Sequence, residues 1–363
     1  GQVQLAGSRT LSVTGDSTVA ANANGMLLDD DSAATFDGNL DNAGTISLND
    51  NALLTVNNGD TTGGGNLTLS GTAMADLNGN AAFAIIQAED TSMVDVEGDL
   101  DLTGNSTFAA GTTLNVGGLL DLADGAMLDL QGTDLDEMNL TADGGILVNS
   151  GATLMGNATI NTSQLEYGGK VIVGATGSTT GLLTLDSGNL VSDTGGELTF
   201  GLTGDLIVGL GNGAYGQNSL INVASGTADF TDSGSIVLEV QGTTYIPTDR
   251  EFTIIETSGG ITGDTSVTTN RDQSITRGAN NGAGGWATDA DALSIWAQSS
   301  AQYTNTLSGP DFETGLMLDS FIPFANSDPG NTYGQLLGQL DQIDDAADYA
   351  AAVEGLGPTV QVS

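Results

Sequence analysis

Residues 93–130 read MVDVEGDLDLTGNSTFAAGTTLNVGGLLDLADGAMLDL. In this stretch, short apolar–polar–apolar triplets alternate with turns made of Gly, Asn or Asp. The alternation has a period of two residues, which is typical of β-strands that bury one face. The stretch therefore predicts a series of very short strands. The triplets are Val94-Asp95-Val96, Leu100-Asp101-Leu102, Leu114-Asn115-Val116, Leu120-Asp121-Leu122 and Leu128-Asp129-Leu130.

The same pattern extends outward from Leu11-Ser12-Val13 to Leu206-Ile207-Val208. It is compatible with a β-sandwich or with a solenoid, in which each coil contributes two or three strands. The solenoid is favoured because few strands reach the ~5–6 residues usual in sandwiches, and because turns for two-residue hairpins are scarce. We therefore expect a right-handed parallel β-helix of about 12–14 coils, each rising about 4.8 Å.

Changes in composition and in the length of the predicted strands divide the chain into three segments. Residues 1–226 form the repetitive solenoid, and residues 227–300 form closing coils and a β cap. The cap segment contains Trp286 and Trp296, and large rings suit the covering of an exposed stack end. Residues 301–363 form a connector with a short α-helical tail. The expected fold class is all-β.

The connector carries apolar residues at helical spacing. The spacing predicts an amphipathic helix over about 332–355, with capping-box spacing at Thr332 and Gln335. A shorter helix is expected from Phe312 to Phe321. The periodic residues are Leu336, Leu340, Ile343, Ala347, Ala350, Val353 and Leu356.

Composition excludes several classes of function. The chain has 46 acidic and 5 basic residues, a net charge of −41. This charge opposes binding to nucleic acid phosphates and to anionic membrane surfaces. The absence of His and Cys excludes catalytic triads built on those residues, as well as disulfides and thiolate metal sites. No apolar run is long enough to span a membrane. We expect a protein that is not an enzyme.

One enzymatic alternative remains, because glycoside hydrolysis needs only paired carboxylates. The candidate residues are Asp134, Asp136 and Glu137. They stand out little in a chain with so many acids, and the substrate-stacking aromatics of such enzymes are few here. A polysaccharide-degrading β-helix is therefore a second alternative.

Calcium is the one ion that the sequence suggests, since Ca²⁺ prefers carboxylate and carbonyl oxygens. The densest cluster is Asp29, Asp30 and Asp31, followed by Asp341 with Asp344 and Asp345. Neither cluster has EF-hand spacing, and solvated turns or a polar helix face would produce the same pattern. No other cofactor is expected.

The C-terminal third resembles a known family. The segment 244–255, TYIPTDREFTII, is followed by Gly260-Ile261-Thr262-Gly263 and by the helical stretches 336–343 and 349–358. Together they resemble the passenger end and pre-barrel connector of type V autotransporters. That resemblance implies a β-helical passenger, exported through an outer-membrane barrel to the cell surface or the extracellular medium. Nothing after Pro358 has the pattern of barrel strands, so we expect that the barrel was cleaved or that the architecture is reused as a free subunit.

Three functions therefore remain. The preferred one is a secreted structural or adhesive solenoid that meets a host or cell-surface ligand. An alternative is a filament subunit that self-associates head to tail. In that case the pairing residues would be Gln2, Val3, Gln4 and Leu5 at one end, and the terminal strand with Val360, Gln361 and Val362 at the other. The third is the polysaccharide hydrolase.

Overall fold

A computed structural model of the chain defines the fold. It describes residues 2–21, 25–133, 137–174, 181–193, 196–202, 219–232, 235–240, 251–263, 266–269, 286–289, 292–296, 303, 310–327, 331–341, 343 and 346–356.

These residues form strands along most of the chain and three helices near its end. The strands are β1 (Val3–Leu5), β2 (Thr10–Thr14), β3 (Ser17–Val19), β4 (Met26–Leu28), β5 (Ala33–Asp37), β6 (Leu40–Asn42), β7 (Thr45–Leu48), β8 (Leu53–Val56), β9 (Thr61–Thr62), β10 (Asn66–Leu69), β11 (Met74–Leu77), β12 (Ala81–Phe83), β13 (Ile85–Ala88), β14 (Met93–Val96), β15 (Leu100–Leu102), β16 (Asn105–Ala109), β17 (Thr113–Val116), β18 (Leu119–Leu122), β19 (Met127–Gln131), β20 (Asn139–Ala142), β21 (Gly145–Val148), β22 (Thr153–Tyr167), β23 (Lys170–Val173), β24 (Leu182–Ser192), β25 (Glu197–Leu202), β26 (Leu220–Val223), β27 (Ala228–Phe230), β28 (Ser235–Val240), β29 (Glu251–Thr257), β30 (Ile261–Gly263), β31 (Ser266–Thr269), β32 (Trp286–Asp289) and β33 (Ala292–Trp296). The helices are α1 (Pro310–Ser327), α2 (Thr332–Leu340) and α3 (Ala346–Leu356).

The strands stack in parallel around one axis, which confirms a parallel β-helix. Each coil contributes three strands, one to each of three faces, and the strands of the inner coils pair with their equivalents one coil below and one coil above. In the regular part the step is about twenty residues, since Thr45 pairs with Asn66 and Asn66 pairs with Ile85. The right-handed sense of the helix stays a prediction.

The three faces are continuous. The first contains β1, β4, β7, β10, β13, β16, β19, the start of β22, β23, β25, β28 and β31. The second contains β2, β5, β8, β11, β14, β17, β20, the middle of β22, the start of β24, β26 and β29. The third contains β3, β6, β9, β12, β15, β18, β21, the ends of β22 and β24, β27 and β30.

The first face has twelve strands, the lower end of the expected coil number. At about 4.8 Å per coil, the stack is roughly 55 Å long. Later coils hold more residues than early ones, because Leu190 pairs with Ala228 and Ala228 pairs with Ile261, steps of 38 and 33 residues. We call residues 3–269 the rod.

The core of the rod consists of aliphatic rows that run along the axis. Within one row, Leu100 pairs with Ala81 below and Leu120 above, and all three are buried. Large and small side chains complement each other between coils; Phe108, for example, lies above Ala88. Because equivalent residues stack directly, a narrow core needs only Leu, Val, Ile, Ala and a few rings, as the composition predicts.

The parallel stacking continues past residue 227 as far as β31. The strands β32 and β33 then form an antiparallel hairpin, and β33 pairs antiparallel with β29. An antiparallel strand changes the hydrogen-bond pattern of the edge that it covers. This hairpin is the described part of the expected β cap.

The helical tail differs from its prediction in three respects, of which the first two concern α2. The sequence predicts one helix over about 332–355, whereas the structure has a break after Leu340. Asp341 caps α2, its side chain is buried, and its Oδ1 accepts a hydrogen bond of 2.9 Å from the Tyr303 hydroxyl. A buried carboxylate requires such a donor, so this contact fixes the break. The N-cap is Asn331, whose Oδ1 accepts from the Gly334 N–H, rather than Thr332.

Helix α1 is longer than the expected Phe312–Phe321 segment. It begins with Pro310, a residue suited to the first helical turn, and runs to Ser327. The three helices share a hydrophobic cluster of their own, separate from the core of the rod. Its buried members are Tyr303, Leu318, Ala325, Leu337, Leu340, Tyr349 and Val353.

Candidate functional site: turn ladders and carboxylate clusters

The corner between the second and third faces carries a ladder of side chains. A Gly-Asp or Gly-Asn pair occupies this corner in five successive coils. The side-chain Oδ1 of each Asp or Asn accepts a hydrogen bond of 2.8–3.0 Å from the backbone N–H of the equivalent residue in the next coil. The ladder consists of Asp16, Asn39, Asp60, Asn80 and Asp99, and ends at the N–H of Leu119.

Above the first coil, the glycine of each pair permits the coils to approach. A Cβ on Gly59 would lie within 2.6 Å of backbone atoms of Gly38 and Asn39 in the coil below. A Cβ on Gly38, Gly79 or Gly144 would likewise meet the glycine of the preceding coil. Real Cβ atoms do not approach backbone so closely, so the glycine column sets the spacing of this corner.

Sequence reasoning missed this ladder, although its signal is present. The signal is the recurrence of Gly-Asx at steps of 19 to 23 residues, which the sequence analysis did not use. Aligning the sequence at a period of about twenty residues would bring the five pairs into one column.

The corner between the first and second faces uses a left-handed turn residue. Asp30, Asp50 and Asp90 have φ values of 55°, 57° and 60°, and Gly71 and Gly111 occupy equivalent positions with positive φ. Asp tolerates this conformation better than most residues with a Cβ. The Asp30 and Asp90 carboxylates also accept hydrogen bonds of 2.9 Å from the N–H groups of the glycines one coil below.

This corner contains the sequence-predicted calcium residues, and the structure separates them. Asp29 and Asp30 each place a carboxylate oxygen within 4.8 Å of the other and of Asp50, which the sequence analysis did not select. Asp31 instead accepts a hydrogen bond of 2.9 Å from the Asn51 side chain. The cluster is Asp29, Asp30 and Asp50, and calcium binding stays a prediction.

Two further carboxylate pairs lie on the outer surface of the sheets. Asp95 is directly above Asp76 on the second face, and Asp121 is directly above Asp101 on the third. Partial burial and the Asp76 charge raise the pKa of Asp95, while partial burial and the charges of Asp121 and Asp99 raise the pKa of Asp101. Both sites are mostly solvent-accessible, so screening keeps these effects small.

One cleft of about 200 Å³ contains a residue of the hydrolase hypothesis. Glu137 lines it, and the Thr159 hydroxyl donates to Glu137 Oε2 at 3.4 Å. Asp134 and Asp136 lie outside the described residues. Glu137 is the one carboxylate among the described lining residues, and retaining or inverting hydrolysis needs two. The cleft is lined by Gly132, Thr133, Glu137, Met138, Asn157, Ala158, Thr159, Leu182 and Thr184.

The residues proposed for end-to-end pairing lie in the first coil. Val3, Gln4 and Leu5 belong to β1, which pairs with β4 above; Gln2 precedes the strand. No described strand pairs with the other edge of this coil, and Leu5, Leu11 and Val13 are only partly buried against the core. Val360, Gln361 and Val362 lie outside the described residues.

Comparison with known proteins leaves the family open. No family model matches the chain, and no curated protein sequence matches it significantly. None of the described helices combines the length and apolar character needed to cross a bilayer.

Proposed function

We propose that the chain is an extracellular, non-enzymatic structural and adhesive rod of the autotransporter passenger type, displayed at the cell surface or released from it. Its task is to hold its two ends a fixed distance apart. Export and surface display are inferred from the passenger-like tail pattern. The structural role is supported by the geometry of the coils.

The observation that carries the proposal is the Asp/Asn ladder. Its side chains bond one coil to the next, and each rung uses the same bond. In the coils that carry the ladder, the nearest-neighbour contacts repeat, so whole coils can be added or removed there without altering the remaining ones. Such an arrangement suits a molecule whose function depends on its length.

Deleting whole coils tests this role. Asn66 pairs with Ile85, and the register between β13 and β16 places Asn105 one coil above Ile85, so deletion of residues 66–104 joins Gly65 to an equivalent of Asn66. The variant should fold and be about 10 Å shorter, because two coils are lost. For the measurement, the chain is attached to a bead by its C-terminal end, with one dye on the bead surface and a second dye near Arg9. Energy transfer between the two dyes should increase, because the shorter rod brings them closer together.

A deletion that ignores the register provides the matched control. Removing residues 66–94 deletes one and a half coils and should prevent folding of the rod, as measured by circular dichroism. The proposal fails if the in-register variant does not fold. It also fails if the intact chain releases reducing ends from a glycan panel, which would favour the hydrolase.

A filament subunit is the second candidate, favoured by the partly buried apolar residues of the first coil. A strand from a second copy, added in parallel register below β1, would cover Leu5 and continue the core. Because each copy carries a charge of −41, growth should require salt or divalent cations. Electron microscopy at high salt and at millimolar Ca²⁺ tests this; single rods under both conditions would exclude it.

A further inference from the structure

The helical tail exposes a cluster of large apolar side chains. Of the nine large hydrophobic residues exposed among the described residues, six lie between Phe312 and Leu356. Phe324 is 55% exposed and Leu316 is 47% exposed. We call the following five residues the tail patch: Phe312, Leu316, Met317, Phe324 and Tyr333.

The tail patch spans two helices. On α1, Phe312 and Leu316 are neighbours one turn apart, and Met317 and Phe324 lie seven residues, or two turns, apart on an adjacent strip of the helix surface. The Tyr333 ring of α2 lies 5.3 Å from the Phe324 ring and 4.7 Å from the Phe321 ring. The patch therefore continues from α1 onto the start of α2.

Helix α1 is apolar on two sides. Leu318 and Ala325 are buried in the cluster shared with α2 and α3, whereas Leu316 and Phe324 are exposed on other parts of the helix surface. A surface helix needs only one apolar stripe, and a helix that is apolar all round is normally covered on both sides. Exposed aromatic groups of this kind mark interaction sites.

The net charge of the tail indicates which kind of partner would cover the tail patch. Residues 301–363 contain nine acidic residues and no Lys or Arg. A second copy of the tail would bring two such segments together, and an anionic membrane would be repelled in the same way. A segment that combines an apolar stripe with Lys and Arg would bury the patch and be attracted by the net negative charge of the tail.

We propose that the tail patch docks a basic amphipathic helix of another protein. The helix would place its apolar stripe across Leu316, Phe324 and Tyr333, in the manner of helix-in-groove recognition. Its cations would be attracted by the net charge of the tail, which contains nine acidic residues and no Lys or Arg. This interaction is separate from the spacer role of the rod.

Fluorescence anisotropy on the full chain tests the docking. The probe is a labelled model peptide of about 14 residues, with Leu at helical spacing and Lys elsewhere; the control peptide has the same composition in scrambled order. At about 0.15 M salt, where exposed charges are screened beyond ~8 Å, the patterned peptide should bind at least tenfold more tightly than the scrambled one.

Variants locate the binding surface. The double variant Leu316→Ser with Phe324→Ser should weaken binding at least tenfold, because both side chains are exposed and their removal leaves the helical cluster intact. Leu53→Ser removes an exposed leucine from the rod and should leave binding unchanged. Circular dichroism confirms that each variant is folded.

Several outcomes would overturn the proposal. Equal binding of the scrambled peptide, or equal losses in the Leu53→Ser variant, would show that the overall negative charge attracts any cation. Retained binding in the double variant would exclude the patch. If sedimentation showed self-association that the double variant abolished, the patch would be assigned to a second copy of the chain. If flotation showed binding to neutral vesicles that the double variant abolished, it would be assigned to lipid.

Discussion

In the rod, Leu100 packs between its equivalents Ala81 and Leu120 in the coils below and above. In the helical tail, Leu337 packs in a small cluster whose members come from Tyr303 and from three helices. The rod repeats one contact along an axis, whereas the tail has a single centre. The comparison shows that the contacts stabilising the rod are spread along its whole length, whereas those stabilising the tail lie in one small cluster.

The two regions also differ in what glycine does. At Gly59 in the rod, the missing Cβ makes room for the backbone of the coil below, whereas a Cβ on Gly355 in α3 would meet nothing within 4 Å. Glycine is therefore required for packing in the rod. In the tail it only lowers stability, because glycine loses more conformational freedom on folding than other residues do.

The largest expected effect comes from Gly59→Ala. The new Cβ would overlap the backbone of Gly38 and Asn39, which cannot move without separating the coils. We expect a loss of more than about 3 kcal/mol in the free energy of unfolding of the rod. Chemical denaturation followed by circular dichroism measures it.

Gly355→Ala is the matched control, with the same added methyl group. It should stabilise the tail by up to about 1 kcal/mol, since Ala favours a helix over Gly and the site has space. If Gly59→Ala were as well tolerated as Gly355→Ala, the glycine column would not determine the coil spacing.

Core truncations tell whether the regions unfold separately. Leu100→Ala in the rod and Leu337→Ala in the tail should each cost about 2–5 kcal/mol, because both side chains are fully buried. Hydrogen exchange measured by mass spectrometry should show lost protection in the coils around Leu100 for the first variant and only between residues 310 and 356 for the second. Loss of protection across the whole chain in both variants would indicate one cooperative unit instead.

Most of the rod was predictable from the sequence because its physics is local and repeated. The alternation in segments such as Leu100-Asp101-Leu102 predicts which side chains point inward, and the structure buries Leu100 and Leu102. What the sequence analysis lacked was the register. Register decides which residues from different coils meet, and so it decides that Asp50, rather than Asp31, joins Asp29 and Asp30.

The tail was less predictable because its elements depend on contacts between distant residues. The periodicity of Leu336, Leu340 and Ile343 continues through the point where the helix breaks. The break is stabilised by the hydrogen bond from Tyr303 to Asp341, which joins residues 38 positions apart. No local pattern contains that information, and helix boundaries are generally the least certain part of a sequence-based assignment.

An intermediate loss of stability is expected when the alternation of charged and neutral residues in the Asp/Asn ladder is removed. Asn39→Asp combined with Asn80→Asp keeps the accepting oxygens but places negative charges on five successive rungs. Like charges about 5 Å apart repel, so we expect a loss of about 1–2 kcal/mol in the free energy of unfolding at low salt. Most of it should return at about 1 M salt, where charges are screened beyond ~3 Å.

The reverse exchange, Asp60→Asn combined with Asp99→Asn, is the isosteric control for the ladder. It removes charge while retaining each Oδ1 acceptor, and it should leave the rod unchanged or slightly more stable. Equal destabilisation by the two double variants, independent of salt, would mean that side-chain fit rather than charge governs this corner.

The smallest effect concerns the pH dependence of the stability of the rod. Because the folded rod raises the pKa of Asp95 and Asp101, it binds their protons more tightly than the unfolded chain does. The two groups therefore destabilise the rod at neutral pH, and this penalty is relieved as pH falls through their folded pKa values towards the unfolded value near 3.8. Solvent screening limits the gain to a few tenths of a kcal/mol.

The double variant Asp95→Asn with Asp101→Asn should reproduce that gain at pH 7 and abolish this part of the pH dependence. Asp229 has the opposite sign. The N–H of Thr231 donates to its carboxylate and lowers its pKa, so Asp229→Asn should slightly reduce stability at pH 7. Unfolding curves of the rod between pH 3 and 7 distinguish the two variants. A shift in the same direction for both variants would contradict this assignment, because burial and neighbouring carboxylates raise the pKa of Asp95 and Asp101, whereas hydrogen bonds lower the pKa of Asp229, which pairs with Val191 and Thr262.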